Sequence, residues 1–278
     1  MARTAPKRLR LDAELVRRGL ARSREHAAAL IADGRVTVGG TVASKPATGV
    51  ETAAAVVVTP DVDDPGWASR GAVKLLGALD AFDGVVVEGR RCLDAGASTG
   101  GFTDVLLRRG ARQVVAVDVG YGQLVWSLQN DDRVDVCDRT NVRALTPEQI
   151  GGPVDLTVAD LSFISLRLVL DALAACTAPG GDLVPMVKPQ FEVGRERLGS
   201  GGVVRDPALR AEAVLGVVAA ARERGLALSG VTASPLPGPS GNVEYFCWLR
   251  RPAAGDHAAE DATDDAARVH RAVEEGPR

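Results

Sequence analysis

The sequence of 278 residues is poor in cysteine and has no long apolar run. Its four cysteines are 45, 39 and 71 residues apart, without a C-x-x-C pair, and only three histidines accompany them. This spacing argues against a metal site and a disulfide framework, and it favours a reducing compartment. The longest apolar run, 214–221, is far shorter than the roughly 20 residues that cross a bilayer. Because arginines also interrupt the N-terminus where a signal peptide would be apolar, we expect a soluble, cytoplasmic protein.

Lysine is the other scarce residue. Of the 33 basic residues, 29 are arginine and four are lysine, at positions 7, 45, 74 and 188. Lysine can lose its proton in a suitable environment, whereas arginine stays charged. A lysine retained in an arginine-rich chain is therefore a candidate for chemistry that needs a neutral amine.

The composition is that of a globular protein, with 46% hydrophobic and 25% charged residues, which excludes collagen-like and wholly disordered chains. The formal charge of -3 is unevenly distributed, because residues 1–60 carry ten basic against five acidic residues. A basic segment on an acidic protein indicates a polyanionic partner. Candidate phosphate contacts, several of them on one side of a predicted helix, are Arg3, Lys7, Arg8, Arg10, Arg17, Arg18, Arg22 and Arg24. The alternative is a solvated basic face.

The sequence pattern divides the chain into four parts. Residues 1–60 predict two helices, over 8–19 and 23–34, followed by short strands, with Asp12 capping the first helix. Residues 61–70 read as a linker, residues 71–250 as the main domain, and residues 251–278 as a disordered or loosely helical tail. In the main domain, apolar strands near 91–96, 113–120, 154–162 and 182–189 alternate with helices. This alternation predicts an α/β fold with a parallel sheet covered on both faces.

A glycine-rich turn follows the first strand of the predicted sheet, with Asp94, Gly96, Gly100 and Gly101 at a junction of strand and helix. Glycine there lets the backbone approach a ligand. The spacing G-x-x-x-G-G differs from the dinucleotide fingerprint, and a carboxylate beside the turn suits a cation such as S-adenosylmethionine better than a phosphate. Asp118, after the next strand, is placed to accept hydrogen bonds from ribose hydroxyls. A nicotinamide site and a simple glycine turn with a capping aspartate are the alternatives.

Further residues near this turn are candidate cofactor contacts. Asp138 is placed to meet an adenine edge, with an Asp–Arg surface pair as the alternative. Asp160 ends a strand beside the turn. Ser98, Thr99 and Phe102 are placed to line the turn, although a phenylalanine at such a position is more often part of the core than a ligand contact.

Four charged residues are candidates for catalysis. Asp160, Lys188 and Glu244 lie at or near the ends of predicted strands, and Lys74 begins a helix that would pack near the first strand. Because open parallel sheets gather ligands at their carboxyl edge, we expect Asp160 and Lys188 to converge near the cofactor. A solvated charge at a strand end is the alternative for each residue taken alone.

Six segments resemble the TlyA or haemolysin A group of ribosomal RNA 2'-O-methyltransferases, within the FtsJ-like superfamily. They are LVRRGLARSREHA, SRGAVKLLGAL, CLDAGASTGGFT, VADLSFISL, VKPQFEVG and PLPGPSGNVEYF, from residue 5 to about 250. The resemblance implies a Rossmann-like class I S-adenosylmethionine-dependent methyltransferase sheet after a small α+β alpha-L RNA-binding domain. It also implies a Lys-Asp-Lys-Glu catalytic tetrad, corresponding to Lys74, Asp160, Lys188 and Glu244, with none of the four substituted.

The implied reaction is methylation of a cytidine ribose 2'-hydroxyl in 16S or 23S ribosomal RNA, or both, within ribosomal subunits. A sugar hydroxyl is a weak nucleophile, so a base must take its proton as the methyl group arrives. We expect Lys188 to be that base. Desolvation and the Lys74 ammonium favour a neutral Lys188 amine, whereas Asp160 and Glu244 favour the charged form.

Two alternatives stay open. The haemolysin name implies a membrane-lysing protein, for which the sequence offers neither an export signal nor a spanning segment. The other alternative is an RNA-binding protein that keeps the methyltransferase fold as a scaffold, which the intact turn and tetrad argue against. The resemblance further implies sensitivity to capreomycin and viomycin in cells with the active protein. We expect a monomer.

Overall fold

The computed structural model describes residues 8–21, 24–59, 65–238, 240–253 and 262–277. The chain divides into two compact units, residues 1–69 and residues 70–278. Part of the predicted linker, residues 61–64, and part of the predicted tail, residues 254–261, lie outside the described residues. None of the helices described here combines the length and the apolar character needed to cross a membrane.

The first unit contains short helices and short strands around a small core. Its helices are α1 (Leu11–Arg17) and α2 (Arg24–Ala32), and its strands are β1 (Arg8–Arg10), β2 (Val36–Val38), β3 (Thr41–Val42), β4 (Gly49–Glu51) and β5 (Val56–Val58). β1 pairs with β4, and β2 lies between β3 and β5, all antiparallel. The core is formed by Leu11, Leu15, Ile31 and Val36, among others.

The first helix begins later than the sequence pattern predicts. The helix expected over 8–19 starts at Leu11, because the three residues before it are extended and pair with β4. The pairing of residues 8–10 with the remote strand β4 has no signature in the local sequence, so the apolar spacing alone predicted one helix over both elements. Asp12 does not cap α1, since it lies within the first turn and its carboxylate binds two arginine side chains.

The second unit is built around a seven-stranded sheet. Its strands are β6 (Arg91–Ala95), β7 (Gln113–Val117), β8 (Val134–Cys137), β9 (Val154–Ala159), β10 (Thr177–Val187), β11 (Ala227–Ala233) and β12 (Tyr245–Arg250). Their order is β11-β12-β10-β9-β6-β7-β8, and among these strands β12 alone runs opposite to the other six. The predicted α/β fold with a parallel sheet is confirmed, with one reversed strand near an edge.

Helices connect the strands and pack on the sheet. They are α3 (Gly71–Ala81), α4 (Gly101–Arg108), α5 (Trp126–Gln129), α6 (Leu170–Cys176), α7 (Pro189–Glu192), α8 (Pro207–Arg222) and α9 (Ala262–Glu275). The central strands are nearly continuous apolar runs, in which Leu93, Val115, Leu156 and Leu183 are fully or almost fully buried. Such strands are typical of a sheet covered by helices on both faces.

The register of the sheet brings several strand ends to one edge. Ala95 of β6 pairs with Ala159 of β9, which pairs in turn with Pro185 of β10. Val187, near the end of β10, pairs with Tyr245 at the start of β12. The residues after β6, β9 and β10 and the residue before β12 therefore lie together at the carboxyl edge, where open α/β sheets bind ligands.

Within the predicted tail over 251–278, the described residues 262–277 are not disordered or loosely helical but include a packed helix. Helix α9 packs against α8 and β11, with Val269 fully buried and Val273 8% exposed. Arg222 of α8 forms an ion pair with the buried Asp265. Large apolar residues are few in this region, so its composition alone resembles that of a disordered segment. Two valines one helical turn apart, flanked by alanines, suffice for one docked helix face.

Replacing Val269 with alanine is expected to lower the free energy of unfolding by about 1–3 kcal/mol, because two buried methyl groups are lost and a cavity remains. Chemical denaturation measures the change. Glu274→Ala, on the exposed side of the same helix, is the matched control and should stay within about 0.5 kcal/mol of the natural protein. Equal effects of the two substitutions would contradict a docked α9.

Candidate active site

A tight turn between β6 and α4 forms the first part of the carboxyl edge. Gly96, Ser98 and Gly100 have positive φ angles of 88°, 48° and 97°. A Cβ atom at residue 96 would lie 2.5 Å from the carbonyl oxygen of Asp160, which is closer than van der Waals contact allows. Glycine is required there because the backbone of the turn lies directly against the end of β9.

Asp94, the next-to-last residue of β6, is completely buried beside this turn. Its Oδ2 atom accepts a hydrogen bond from the Thr103 hydroxyl at 2.7 Å, whereas Oδ1 has no hydrogen-bond partner among the described residues. Burial, with smaller contributions from the charges of Asp160 and Asp118, raises the pKa of Asp94 to about 7. An unpaired buried acceptor indicates that a donor or cation from a ligand completes the site.

Two further carboxylates follow the next strands of the sheet. Asp118, after β7, accepts hydrogen bonds from the backbone N–H groups of Ser98 at 2.9 Å and Gly120 at 2.7 Å. It thereby joins the glycine turn to the neighbouring loop. Asp138, after β8, accepts a hydrogen bond from the Gly122 backbone N–H at 2.8 Å. Carboxylates thus stand at the ends of β6, β7 and β8.

The side chains predicted to line the turn differ in accessibility. Ser98 is exposed and Thr99 is partly exposed, so both are available to a ligand. Phe102 is 3% exposed, and its ring centre lies 6.0 Å from that of Phe246 in β12. It belongs to the core and not to the lining of the turn, contrary to the expectation, because the apolar face of α4 is buried in the second unit.

Lys188 and Asp160 follow the neighbouring parallel strands β10 and β9. The Nζ atom of Lys188 lies 2.6 Å from Oδ1 of Asp160 and donates a hydrogen bond to the Ser162 hydroxyl at 2.9 Å. The lysine side chain is 9% exposed and the aspartate side chain 25% exposed. The Lys188 amine is therefore held in a buried position at the sheet edge, while the Asp160 carboxylate is partly exposed to solvent.

Lys74 of α3 and Glu244, immediately before β12, form a second ion pair. The lysine Nζ atom lies 2.5 Å from Oε2 of Glu244, and the two side chains are only 6% and 1% exposed. The pairing of β10 with β12 places Lys188 and Glu244 one step beyond paired residues, so the two ion pairs are neighbours. All four predicted catalytic residues meet at the edge, and each ammonium has its own carboxylate.

A cavity of about 560 Å³ opens beside these pairs. Its wall includes Lys188, Glu244, Ser162, Phe163, Gln190, Phe191 and Asn242. The ring centres of Phe163 and Phe191 are 5.4 Å apart, and Phe163 is 92% exposed. Cavities of this size hold ligands as large as a nucleotide.

Known families match both units of the chain. Residues 67–251 match the FtsJ-like methyltransferase model, and residues 9–56 match the S4 domain. The chain belongs to the FtsJ-like methyltransferase family. The resemblance inferred from the six sequence segments is thereby confirmed.

Relatives of this FtsJ-like methyltransferase cover nearly its whole length. The "16S/23S rRNA (cytidine-2'-O)-methyltransferase TlyA" of Mycobacterium tuberculosis is 61% identical over 271 residues, which cover 98% of this chain and 99% of the relative. The "Putative rRNA methyltransferase YqxC" of Bacillus subtilis is 40% identical, over 95% of this chain and 93% of the relative. A solved structure, "Putative hemolysin from Streptococcus thermophilus", has a TM-score of 0.74 and 36% identity and covers 98% of each chain.

In the S4 domain of this FtsJ-like methyltransferase, Asp12 holds two of the predicted phosphate contacts. Arg10 and Arg24 each place a guanidinium nitrogen 2.9 Å from Asp12, and their hydrogen bonds keep the pKa of this buried acid well below its usual range. The two arginine side chains remain 52% and 61% exposed. Arg8, also exposed, lies 3.6 Å from Glu51. The predicted contacts outside the described residues are Arg3, Lys7 and Arg22.

Glu14 pairs with Arg17 and Arg18, each at 2.6 Å, and these hydrogen bonds lower its pKa to about 2. The Arg17 side chain is 55% exposed, but that of Arg18 is 21% exposed. Arg18 also donates hydrogen bonds to the carbonyl oxygens of Thr52 at 2.9 Å and Ala54 at 2.8 Å. It fastens α1 to the turn between β4 and β5, so the structure does not support its prediction as a phosphate contact.

Sequence reasoning missed three polar residues in the wall of the cavity beside the two ion pairs: Ser162, Gln190 and Asn242. Each is two positions from a tetrad residue along the chain. That proximity was an available signal, because residues just beyond a strand end share its place at the sheet edge.

Proposed function

We propose that this FtsJ-like methyltransferase uses S-adenosylmethionine to methylate the ribose 2'-hydroxyl of cytidine in 16S ribosomal RNA, 23S ribosomal RNA or both, within ribosomal subunits. The observation that carries the proposal is the pair of lysine–carboxylate contacts beside the glycine turn at one sheet edge. The name of the 61% identical relative supports the same nucleoside and the same atom. Since ribosomal subunits are the proposed substrate, we expect the protein to act in the cytoplasm.

The residues around the turn fit S-adenosylmethionine better than a nicotinamide dinucleotide. The unpaired buried oxygen of Asp94 favours a ligand with an ammonium group over one with a pyrophosphate. We assign Asp94 to that ammonium, Asp118 to the ribose hydroxyls and Asp138 to the adenine amine. The wall of the turn is assigned to Gly96, Ser98, Thr99, Gly100 and Gly101. When bound, the cofactor supplies a methyl group made electrophilic by a positively charged sulfur.

The affinity for S-adenosylmethionine is expected to fall as the pH drops through about 7, the raised pKa of Asp94. Below this value the free protein carries a protonated Asp94, and a neutral carboxyl group attracts an ammonium poorly. The affinity at pH 6 should be about tenfold weaker than at pH 8. Calorimetric titration in this range measures the change. Asp94→Asn should bind weakly with little pH dependence, and a flat profile for the natural protein would contradict the assignment.

In the proposed mechanism, the neutral amine of Lys188 accepts the 2'-hydroxyl proton while the ribose oxygen acts as the nucleophile. Asp160 at 2.6 Å and Ser162 at 2.9 Å fix the amine and stabilise the ammonium that forms. Lys74 holds one oxygen of Glu244 at 2.5 Å and leaves the other, which has no partner among the described residues, to accept a hydrogen bond from the ribose. The proton then passes to solvent by way of Asp160, which is the more exposed residue of the Lys188–Asp160 pair.

Binding of the RNA backbone is assigned to the S4 domain. Arg8, Arg10, Arg17 and Arg24 expose guanidinium groups that can exchange part of their contact with carboxylates for contact with phosphates. Arg3, Lys7 and Arg22 complete the assigned set. RNA is recognised by shape as well as by base edges, which favours a folded ribosomal subunit as the substrate.

Mass spectrometry of ribosomal RNA from cells with and without the gene tests the proposed function. We expect 2'-O-methylcytidine to disappear from discrete positions in the deletion strain. It should return when purified protein and S-adenosylmethionine are added to the subunits. The deletion should also reduce sensitivity to capreomycin. An unchanged methylation profile would reject the proposal.

A further inference from the structure

In the wall of the cavity beside the tetrad, two residues have buried oxygen atoms that lack hydrogen-bond partners among the described residues. They are Oε1 of Gln190, in α7, and Oε1 of Glu244, just before β12. Buried acceptors in native proteins are almost always paired, so two unpaired acceptors on residues of one cavity wall indicate missing donors. A single ligand with two donor groups would satisfy both.

Three other polar side chains on the same wall are already engaged within the fold. The Ser162 hydroxyl accepts a hydrogen bond from the catalytic lysine at 2.9 Å, and the Ser165 hydroxyl donates to Glu192 at 2.6 Å. The amide of Asn242 is bonded at both ends to backbone groups, at 2.9 Å and 3.1 Å. Gln190 carries the same amide group on the same cavity, but its oxygen is unpaired. We therefore attribute the unpaired oxygen of Gln190 to a contact with a ligand and not to a contact within the fold.

On the proposed function, a ribose hydroxyl satisfies Glu244, which leaves Gln190 for the base of the target nucleotide. We infer that Gln190 selects cytidine by accepting a hydrogen bond from the 4-amino group of cytosine. Uracil carries a carbonyl oxygen at that position, which would face the Gln190 oxygen without a hydrogen atom between them. One contact thus favours cytidine and disfavours uridine, because a polar group built to bind a donor is left unpaired by the analogue.

The position of Gln190 connects base recognition to catalysis. Helix α7 begins at Pro189, directly after Lys188, and the Phe191 backbone N–H donates to the Lys188 carbonyl oxygen at 2.9 Å. The segment that carries Gln190 is therefore fixed to the residue that carries the proposed base. A cytosine held by Gln190 orients its ribose toward the lysine amine, so loss of this contact should lower kcat as well as affinity.

The test compares two substrates: ribosomal subunits from cells lacking the gene, and the same subunits with the mapped target cytidine changed to uridine. The natural protein should strongly prefer cytidine. Gln190→Met, similar in shape but without the acceptor, should lower kcat/KM on cytidine about 10- to 100-fold and the preference for cytidine over uridine about tenfold or more. Gln190→Glu presents an oxygen in either orientation and should keep the preference at lower turnover.

Calorimetric binding of S-adenosylmethionine checks that each variant is folded. Gln149→Met, at an exposed glutamine outside the cavity, is the matched control and should behave as the natural protein does. A preference for cytidine that survives Gln190→Met, or that is lost in Gln190→Glu, would overturn the inference. Equal rates of the natural protein on both substrates would do so as well. Absence of methylation on the cytidine substrate would instead reject the proposed function on which the inference rests.

Discussion

Replacement of Lys188 by alanine is expected to lower kcat for methyl transfer by about 10²- to 10⁴-fold while the affinity for S-adenosylmethionine changes little. On the proposed mechanism, one amine takes the proton, and its Nζ atom is held at 2.6 Å by Asp160 and at 2.9 Å by Ser162. The turn around Gly96 is built from other residues, so cofactor binding should survive. Transfer of labelled methyl groups to ribosomal subunits measures kcat, and calorimetry measures the Kd of the cofactor.

Lys188→Arg separates proton transfer from charge. Arginine keeps a cation beside Asp160 but does not release its proton at physiological pH, so this variant should be nearly as inactive as Lys188→Ala. If the positive charge alone mattered, Lys188→Arg would retain most of the activity. Ser162→Ala removes one hydrogen bond to the amine but keeps the amine, and it should cost less than about tenfold. Near-normal turnover of Lys188→Ala would exclude this residue as the base.

The largest expected effect on stability concerns the buried pair of Lys74 and Glu244. Glu244→Leu alone should lower the free energy of unfolding by about 3–5 kcal/mol, because it leaves a buried ammonium without its counter-ion. Lys74→Met alone should have a similar cost. The double variant should recover most of the loss, since two apolar side chains need no partner, yet it should remain inactive. Denaturation curves and methylation assays on all three variants measure these outcomes.

The exposed pair of Arg197 and Glu212, also at 2.6 Å but with side chains 41% and 55% exposed, is the control. Glu212→Leu should change the free energy of unfolding by about 1 kcal/mol or less, because solvent already screens the pair. Additive losses in the Lys74→Met, Glu244→Leu double variant would contradict coupling between the two residues.

The sheet was predictable because a buried parallel strand has a local sequence pattern, namely a short apolar run between two helical segments. The place of the site was predictable for the same reason. Asp118, Asp160 and Lys188 directly follow strands, and the chemistry of an open sheet is concentrated at that edge. The depth of Phe102 was less clear, because a residue in the first turn of a helix after a glycine loop can face either the ligand or the core.

The partners of the proposed catalytic groups were beyond sequence reasoning. Lys74 and Glu244 are 170 positions apart, and no local pattern records that they meet. The same holds for Arg18, whose carbonyl partners are 34 and 36 positions away. For α9, by contrast, the spacing of Val269 and Val273 is a local signal of a helix face, although the composition around them is typical of a disordered segment.

The contact between Gly96 and Asp160 has a consequence for how precisely the proposed reactants are aligned. The Asp160 backbone N–H donates to the Ala95 carbonyl oxygen at 3.0 Å, and its own carbonyl oxygen fills the space beside residue 96. The cofactor turn after β6 and Asp160 after β9, which holds the proposed base Lys188, would thus stand on either side of the boundary between two adjacent strands, about 4.8 Å apart. The hydrogen-bonded sheet then sets their alignment. The sequences of the surrounding loops are therefore free to change, whereas the contact between Gly96 and Asp160 is not.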